Sequence, residues 1–260
     1  MASNCLAGLR VLVTRPAAQS EAWQACLRSA GATPLALPLL VIEPVSEAAE
    51  LQAIKGIVLD FDQYAAAIFV SQNAVHYGCD WLDRYWPQTP LGVAMLAVGA
   101  TTGAKLAALG YAVSAADAAM NSEALLALAP LQAVKGQKIA IFRGCGGRPW
   151  LGEQLTARGA KVDYCELYQR RLPQAAAQQL AALGPAATDL LSVHSGATLD
   201  NLCSALAGTA HGDWLQLPIL VPGQRVAGQA RAVGFSQVIE AENATDGAML
   251  AALQQWCSNN

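Results

Sequence analysis

A chain of 260 residues that is 54% hydrophobic and 13% charged, with a net charge of −3, has room for two domains of roughly 100 to 150 residues. The acidic balance and the lack of a basic run argue against broad nucleic-acid binding. No stretch of roughly 20 predominantly apolar residues is available to span a membrane, because the longest uncharged run, 85–104, is interrupted by Pro87, Pro90, Gly92, Gly99 and Gly103.

Arg10 is followed by Val-Leu-Val-Thr-Arg-Pro, so no basic region precedes an apolar core and no secretory signal is expected. The cytoplasm is therefore the expected compartment. Seven scattered cysteines with no Cys-x-x-Cys spacing read as reduced thiols and not as a disulfide framework or zinc knuckle. His76, His194 and His211 lack the spacing and acidic neighbours of a metal site.

Taken in order, the chain first shows an apolar strand from Gly8 that ends in the basic turn Thr-Arg15-Pro. A helix through Trp23 and Leu27 follows and stops at Gly31. The same series returns from Gly136 through Ile-Ala-Ile-Phe-Arg143 and Leu151 to Gly159, at an offset of 128 residues. A second strand, Ala67-Ile-Phe-Val-Ser71, enters a helix on a serine, and Leu190-Leu-Ser-Val-His-Ser195 repeats it at an offset of 124. The turns at Gly99 and Gly223, with helices ending at Gly110 and Gly234, make a third pair. Final helices from Ser122 and Asp246, each placed as an N-cap, make a fourth.

Chance similarity among Ala-rich segments accounts for one such pair. Four pairs in the same order point to a duplication, and alternating apolar strands and helices imply two parallel-sheet α/β domains. Strands buried on both faces explain the continuous runs Val-Leu-Val and Ile-Ala-Ile-Phe.

In such sheets ligands bind beyond the carboxyl ends of the strands, where helix N-termini favour anions. Arg15, Arg143, Ser71, Ser195, Gly99 and Gly223 all fall there. The alternative is that the serines and Thr101 or Thr102 are helix caps and the glycines satisfy turn geometry. The loop Arg143-Gly-Cys-Gly-Gly-Arg148 does not complete a dinucleotide fingerprint, since Pro149 stands where glycine is required, and no Gly-x-x-x-x-Gly-Lys-Ser/Thr loop or Gly-x-Ser-x-Gly elbow is present. Asp60 and Asp62 read as a solvated turn.

Val11-Leu-Val-Thr-Arg-Pro16, Phe69-Val-Ser-Gln-Asn-Ala-Val75, Ala97-Val-Gly-Ala-Thr-Thr102, Phe142-Arg-Gly-Cys-Gly-Gly-Arg148 and Glu166-Leu-Tyr-Gln-Arg-Arg171 together resemble the uroporphyrinogen-III synthase family across nearly the whole chain. The resemblance implies a bilobal enzyme that takes linear hydroxymethylbilane, removes its terminal hydroxyl, inverts ring D through a spiro intermediate and closes uroporphyrinogen III, without cofactor or metal. A monomer is expected because nothing reads as an exposed apolar helix face or a coiled-coil heptad, with at most transient contact with hydroxymethylbilane synthase. The resemblance also implies one discontinuous domain from residues 1–38 and 172–260, a second from 44–166, and crossing β-linkers at 38–44 and 166–173. Tyr168, matched by Leu40 in the first copy, carries over as the catalytic residue facing the substrate, with its phenol toward the departing hydroxyl. Ser71, Ser195, Thr101 and Thr102 carry over as donors to the substrate's acetate and propionate groups, and the strand-end positions Arg15, Arg143, Gly99 and Gly223, with Asn73, complete the expected substrate-binding set. Gly223-Gln-Arg-Val226 departs from the family's Gly-x-Thr-Thr turn and offers Arg225 as a carboxylate partner, while His194 has no assigned role. A two-lobed small-anion binding or sensor protein without catalysis is the alternative reading; a nucleotide-sugar transferase is weaker, because the phosphate-loop and paired-acid signals are missing.

Overall fold

The computed structural model describes residues 6–114, 122–207 and 211–259. Along the chain these form β1 (Arg10–Val13), α1 (Ala17–Ser29), β2 (Thr33–Ala36), β3 (Val41–Pro44), α2 (Ala48–Leu59), β4 (Tyr64–Phe69), α3 (Gln72–Asp83), β5 (Ala94–Ala97), α4 (Ala100–Ala108) and β6 (Val113–Ser114). The short α5 (Ser122–Leu125) precedes β7 (Lys138–Gly144), α6 (Trp150–Ala157) and the long β8 (Lys161–Arg171). The remainder is α7 (Ala176–Leu183), β9 (Leu190–Ser192), α8 (Gly196–Leu206), α9 (His211–Leu215), β10 (Ile219–Pro222), α10 (Gly223–Val233), β11 (Val238–Ala241) and α11 (Asp246–Asn259).

The chain divides into two compact units, Met1–Val41 with Arg171–Asn260, and Ile42–Arg170. The first holds a five-stranded sheet of order β11-β10-β9-β1-β2, paired in parallel throughout. One face packs Leu12, Leu191, Val193 and Val221 with α8 and α10; the other packs Val11, Val13 and Leu190 with Trp23, Leu27 and Met249. Because both faces are covered, β1 and β10 carry the unbroken apolar runs Val-Leu-Val and Ile-Leu-Val.

In the second unit the order is β3-β8-β7-β4-β5-β6, with β8, β7, β4, β5 and β6 paired in parallel. Phe69 and Phe142 stack at 4.6 Å between ring centres on one face. There α3 comes so close that a Cβ on Gly78 would lie 2.8 Å from the Phe142 ring. A small residue at that point is what lets the helix seat on the sheet.

Register decides what reaches the strand ends. Arg143 pairs with Glu166, but the next residue, Gly144, pairs with Tyr168. β8 thus carries an extra residue, and Tyr168 stands where regular pairing would place Leu167. Such bulges re-aim side chains at strand ends. Gly31, Gly110, Gly159 and Gly234 all end helices with positive φ, as a glycine stop requires. At α11 the expectation is corrected: Thr245, not Asp246, supplies the cap, with its Oγ1 accepting the Ala248 N–H at 3.4 Å. The cap assigned to the Ser122 side chain lies outside the described residues.

Candidate functional site

β4 leads through α3 toward β5 on one side of its sheet, and β7 leads through α6 toward β8 on the other. Their carboxyl ends are therefore the switch point at which open α/β sheets leave a crevice. A cavity of about 660 Å³ opens there, walled by Ser71 after β4, by Arg143 to Cys145 at the end of β7, by Trp150 to Gly152 opening α6, and by Tyr164, Tyr168 and Arg170 of β8.

Tyr168 is 1% exposed, yet its hydroxyl reaches Ser71 Oγ at 2.8 Å on the cavity wall. Its ring lies 5.6 Å from that of Tyr77. Beneath it Gly144 leaves no space, since a Cβ there would lie 2.5 Å from the Tyr168 ring. The Tyr168 carbonyl accepts the Cys145 N–H at 2.8 Å, so main chain and ring are both held. Ser71 in turn caps α3, its Oγ accepting the Ala74 N–H at 3.1 Å.

Arg143 is only 5% exposed and much of its guanidinium is engaged by its own loop. Nε donates to the Gly144 carbonyl at 3.3 Å and Nη1 to that of Arg148 at 3.4 Å. Glu166 lies 3.6 Å away and the Tyr164 ring 4.8 Å from the guanidinium carbon. Gly147 is required by this wrap, because a Cβ there would strike the guanidinium. Arg148 and Arg170 also line the cavity, both exposed and neither in an ion pair among the described residues; Glu123 is the acidic residue on the wall. The wall is cationic on balance and suits carboxylates. Burial, then the charges of Glu166 and Glu50, push the Cys145 thiol up, which keeps it protonated and unsuited to act as a nucleophile.

In the other unit the corresponding switch point lies between β1 and β9. Arg15 is paired there with Asp246 at 2.6 Å. Ser195 caps α8 through the Thr198 N–H at 3.2 Å and bonds the Thr198 hydroxyl at 2.9 Å. His194, 9% exposed, packs edge-on to Trp23 at 5.3 Å, and neither ring nitrogen has a hydrogen-bond partner among the described residues. Burial first, then the positive charge of Arg15, depresses its pKa to about 3. The imidazole is neutral at physiological pH. Arg225 is exposed and reaches Gln229 at 3.2 Å.

The match to a uroporphyrinogen-III synthase HemD family model runs over residues 21–251. The chain belongs to the uroporphyrinogen-III synthase family. It is 34% identical to the uroporphyrinogen-III synthase of Salmonella typhimurium over 95% of this chain and 100% of that one. It is 32% identical to that of Escherichia coli, with the same shares covered. In fold it is similar to a mutant uroporphyrinogen III synthase from Thermus thermophilus, with a TM-score of 0.61 and 18% identity over 97% of this chain and 100% of that one.

Family membership makes the chain an enzyme of tetrapyrrole biosynthesis. Of the residues expected to form its site, Ser71, Arg143 and Tyr168 meet in one cavity. Asn73 sits half-buried in the first turn of α3, and Gly99, with φ of 85°, opens α4. Thr101 is exposed and Thr102 buried in that helix. Neither threonine is the helix cap, a position that Gly99 fills. Gly223, with φ of 71°, opens α10 in the other unit, which also holds Arg15, Ser195 and Arg225. Trp150, Tyr164 and Arg170 were not legible as lining residues; the second arginine of the 143–148 loop was the available signal for Arg148. Among the described residues no helix is long and apolar enough to cross a membrane.

Proposed function

We propose that the chain closes hydroxymethylbilane to uroporphyrinogen III with inversion of ring D and loss of water, and that Tyr168 is the acid. The observation that carries the assignment of Tyr168 is a phenol held at 2.8 Å from Ser71 on the wall of a cavity lined by Arg143, Arg148 and Arg170. Tyr168 gives its proton to the departing hydroxyl as the carbon–oxygen bond breaks with its electron pair toward oxygen. Water leaves, and the attached pyrrole shares the positive charge. The proton lost when the closing pyrrole carbon regains aromaticity restores the phenol. Much of the acceleration then lies in holding a flexible tetrapyrrole in ring-closing geometry.

Arg148 and Arg170 are the proposed partners for substrate carboxylates, with Arg143 shaping the loop between them. Arg15, Asn73, Gly99, Thr101, Thr102, Ser195, Gly223 and Arg225 retain their proposed binding roles. We assign residues 38–44 and 166–173 as the linkers, place the enzyme in the cytoplasm as a monomer, and expect only transient contact with hydroxymethylbilane synthase. The test uses freshly generated hydroxymethylbilane, with the oxidised products separated by chromatography. Isomer III should dominate, whereas isomer I alone, the product of spontaneous closure, would overturn the assignment.

A further inference from the structure

Ser71 has one hydroxyl proton to give and two lone pairs with which to accept. One lone pair takes the Ala74 N–H at 3.1 Å. The Tyr168 oxygen is the other neighbour, at 2.8 Å. Tyr168's ring is already fixed by Gly144 beneath it and Tyr77 beside it, so the torsion of the phenolic O–H is the freedom that is left. We infer that Ser71 is a positioning residue for Tyr168: it donates its proton to the phenol oxygen, so that the phenol's own proton is turned into the cavity. This rests on Tyr168 being the acid. Accepting from a helix N-terminal N–H polarises the serine hydroxyl and strengthens its donation, and the same bond would stabilise the phenolate that forms when the proton leaves.

The duplication supplies an internal control. Ser195 caps α8 as Ser71 caps α3, but its hydroxyl is met by Thr198 Oγ1 at 2.9 Å. The residue equivalent to Thr198 is Ala74, which has no hydroxyl, and the residue equivalent to Tyr168 is Leu40, which has none either. Each copy thus offers its capping serine one hydroxyl, from the helix in one case and from β8 in the other. Ser71 was expected to bind a substrate carboxylate; with its proton committed to Tyr168, it acts through the phenol instead.

The experiment measures kcat and KM for hydroxymethylbilane in Ser71→Gly, Ser71→Thr, Tyr168→Phe and the Ser71→Gly/Tyr168→Phe pair. Glycine is chosen because it is a mild replacement for a capping serine, and the thermal midpoint of each variant reports folding. Ser71→Gly should lower kcat by about tenfold or more with KM within about twofold, threonine should restore most of the loss, and in the Tyr168→Phe background the glycine change should cost less than about twofold. A rise in KM at unchanged kcat, or losses that multiply in the double variant, would overturn the inference while leaving the synthase assignment intact. Should Ser71→Gly not fold, Ser71→Cys takes its place: with a side chain of similar size but only a weak donor, it should lower kcat with KM within about twofold, and an unchanged kcat or a loss confined to KM would refute the role. Isomer I alone from the unaltered enzyme would instead remove the functional reading on which the inference stands.

Discussion

The two strand-end serines share a capping role and differ in what meets their hydroxyls. Ser195 lies in a closed local circuit: a cap, a threonine of its own helix, and beside it a buried neutral His194. Ser71 keeps the cap but shares its hydrogen bond with the hydroxyl of an aromatic side chain 97 residues away in sequence. The two copies keep one capping frame and differ in the partner of the serine hydroxyl. Ala74 for Thr198 and Tyr168 for Leu40 are the two exchanges that matter.

Four changes test that contrast, the largest first. Tyr168→Phe removes the proposed proton and should lower kcat by about 10²-fold or more, within the range for a lost general acid, as measured by isomer-III formation. Gly144→Ala forces a methyl group into the Tyr168 ring and should cost about 10²-fold in kcat through misplacement alone, with a thermal midpoint lowered by an overpacking penalty of about 1–3 kcal/mol. Ala74→Ser gives Ser71 a competing hydroxyl of the kind Thr198 provides. It should reduce kcat by about three- to tenfold with little change in KM, a coupling of at most about 1.4 kcal/mol, in the same steady-state assay. His194→Gln addresses the other side of the comparison. In the unfolded chain His194 takes up a proton below about pH 6.5, while in the folded chain it resists protonation down to about pH 3. Its contribution to stability is therefore complete above pH 6.5 and is lost as the pH falls toward 3. The unaltered protein should lose up to about 1.4 kcal/mol per pH unit more than the variant in that window, as read from denaturant melts at successive pH values.

Much of the fold was legible because the hydrophobic pattern and the stops are local properties. Val11 to Val13 and Ile139 to Phe142 read as strands buried on both faces, and Gly31, Gly110, Gly159 and Gly234 could end helices in a conformation other residues avoid. The serines were readable as caps for the same reason. The cavity was less legible, because its geometry depends on contacts between distant residues. No spacing rule reveals that Arg143 is engaged by the carbonyls of its own loop, or that Arg148 and Arg170 line the same cavity. The extra residue that sets Tyr168 against Gly144 is a property of pairing and has no signature in β8 alone. Asp246 was read as a cap by residue type, but the neighbouring Thr245 reaches the amide and leaves the aspartate for Arg15.

Gly144 ties two positions of the chain together. Its backbone has no positive φ to demand glycine; what demands it is the aromatic ring lying against it. A side chain at 144 and the phenol in its present seat exclude each other, so the two positions can be redesigned only as a pair.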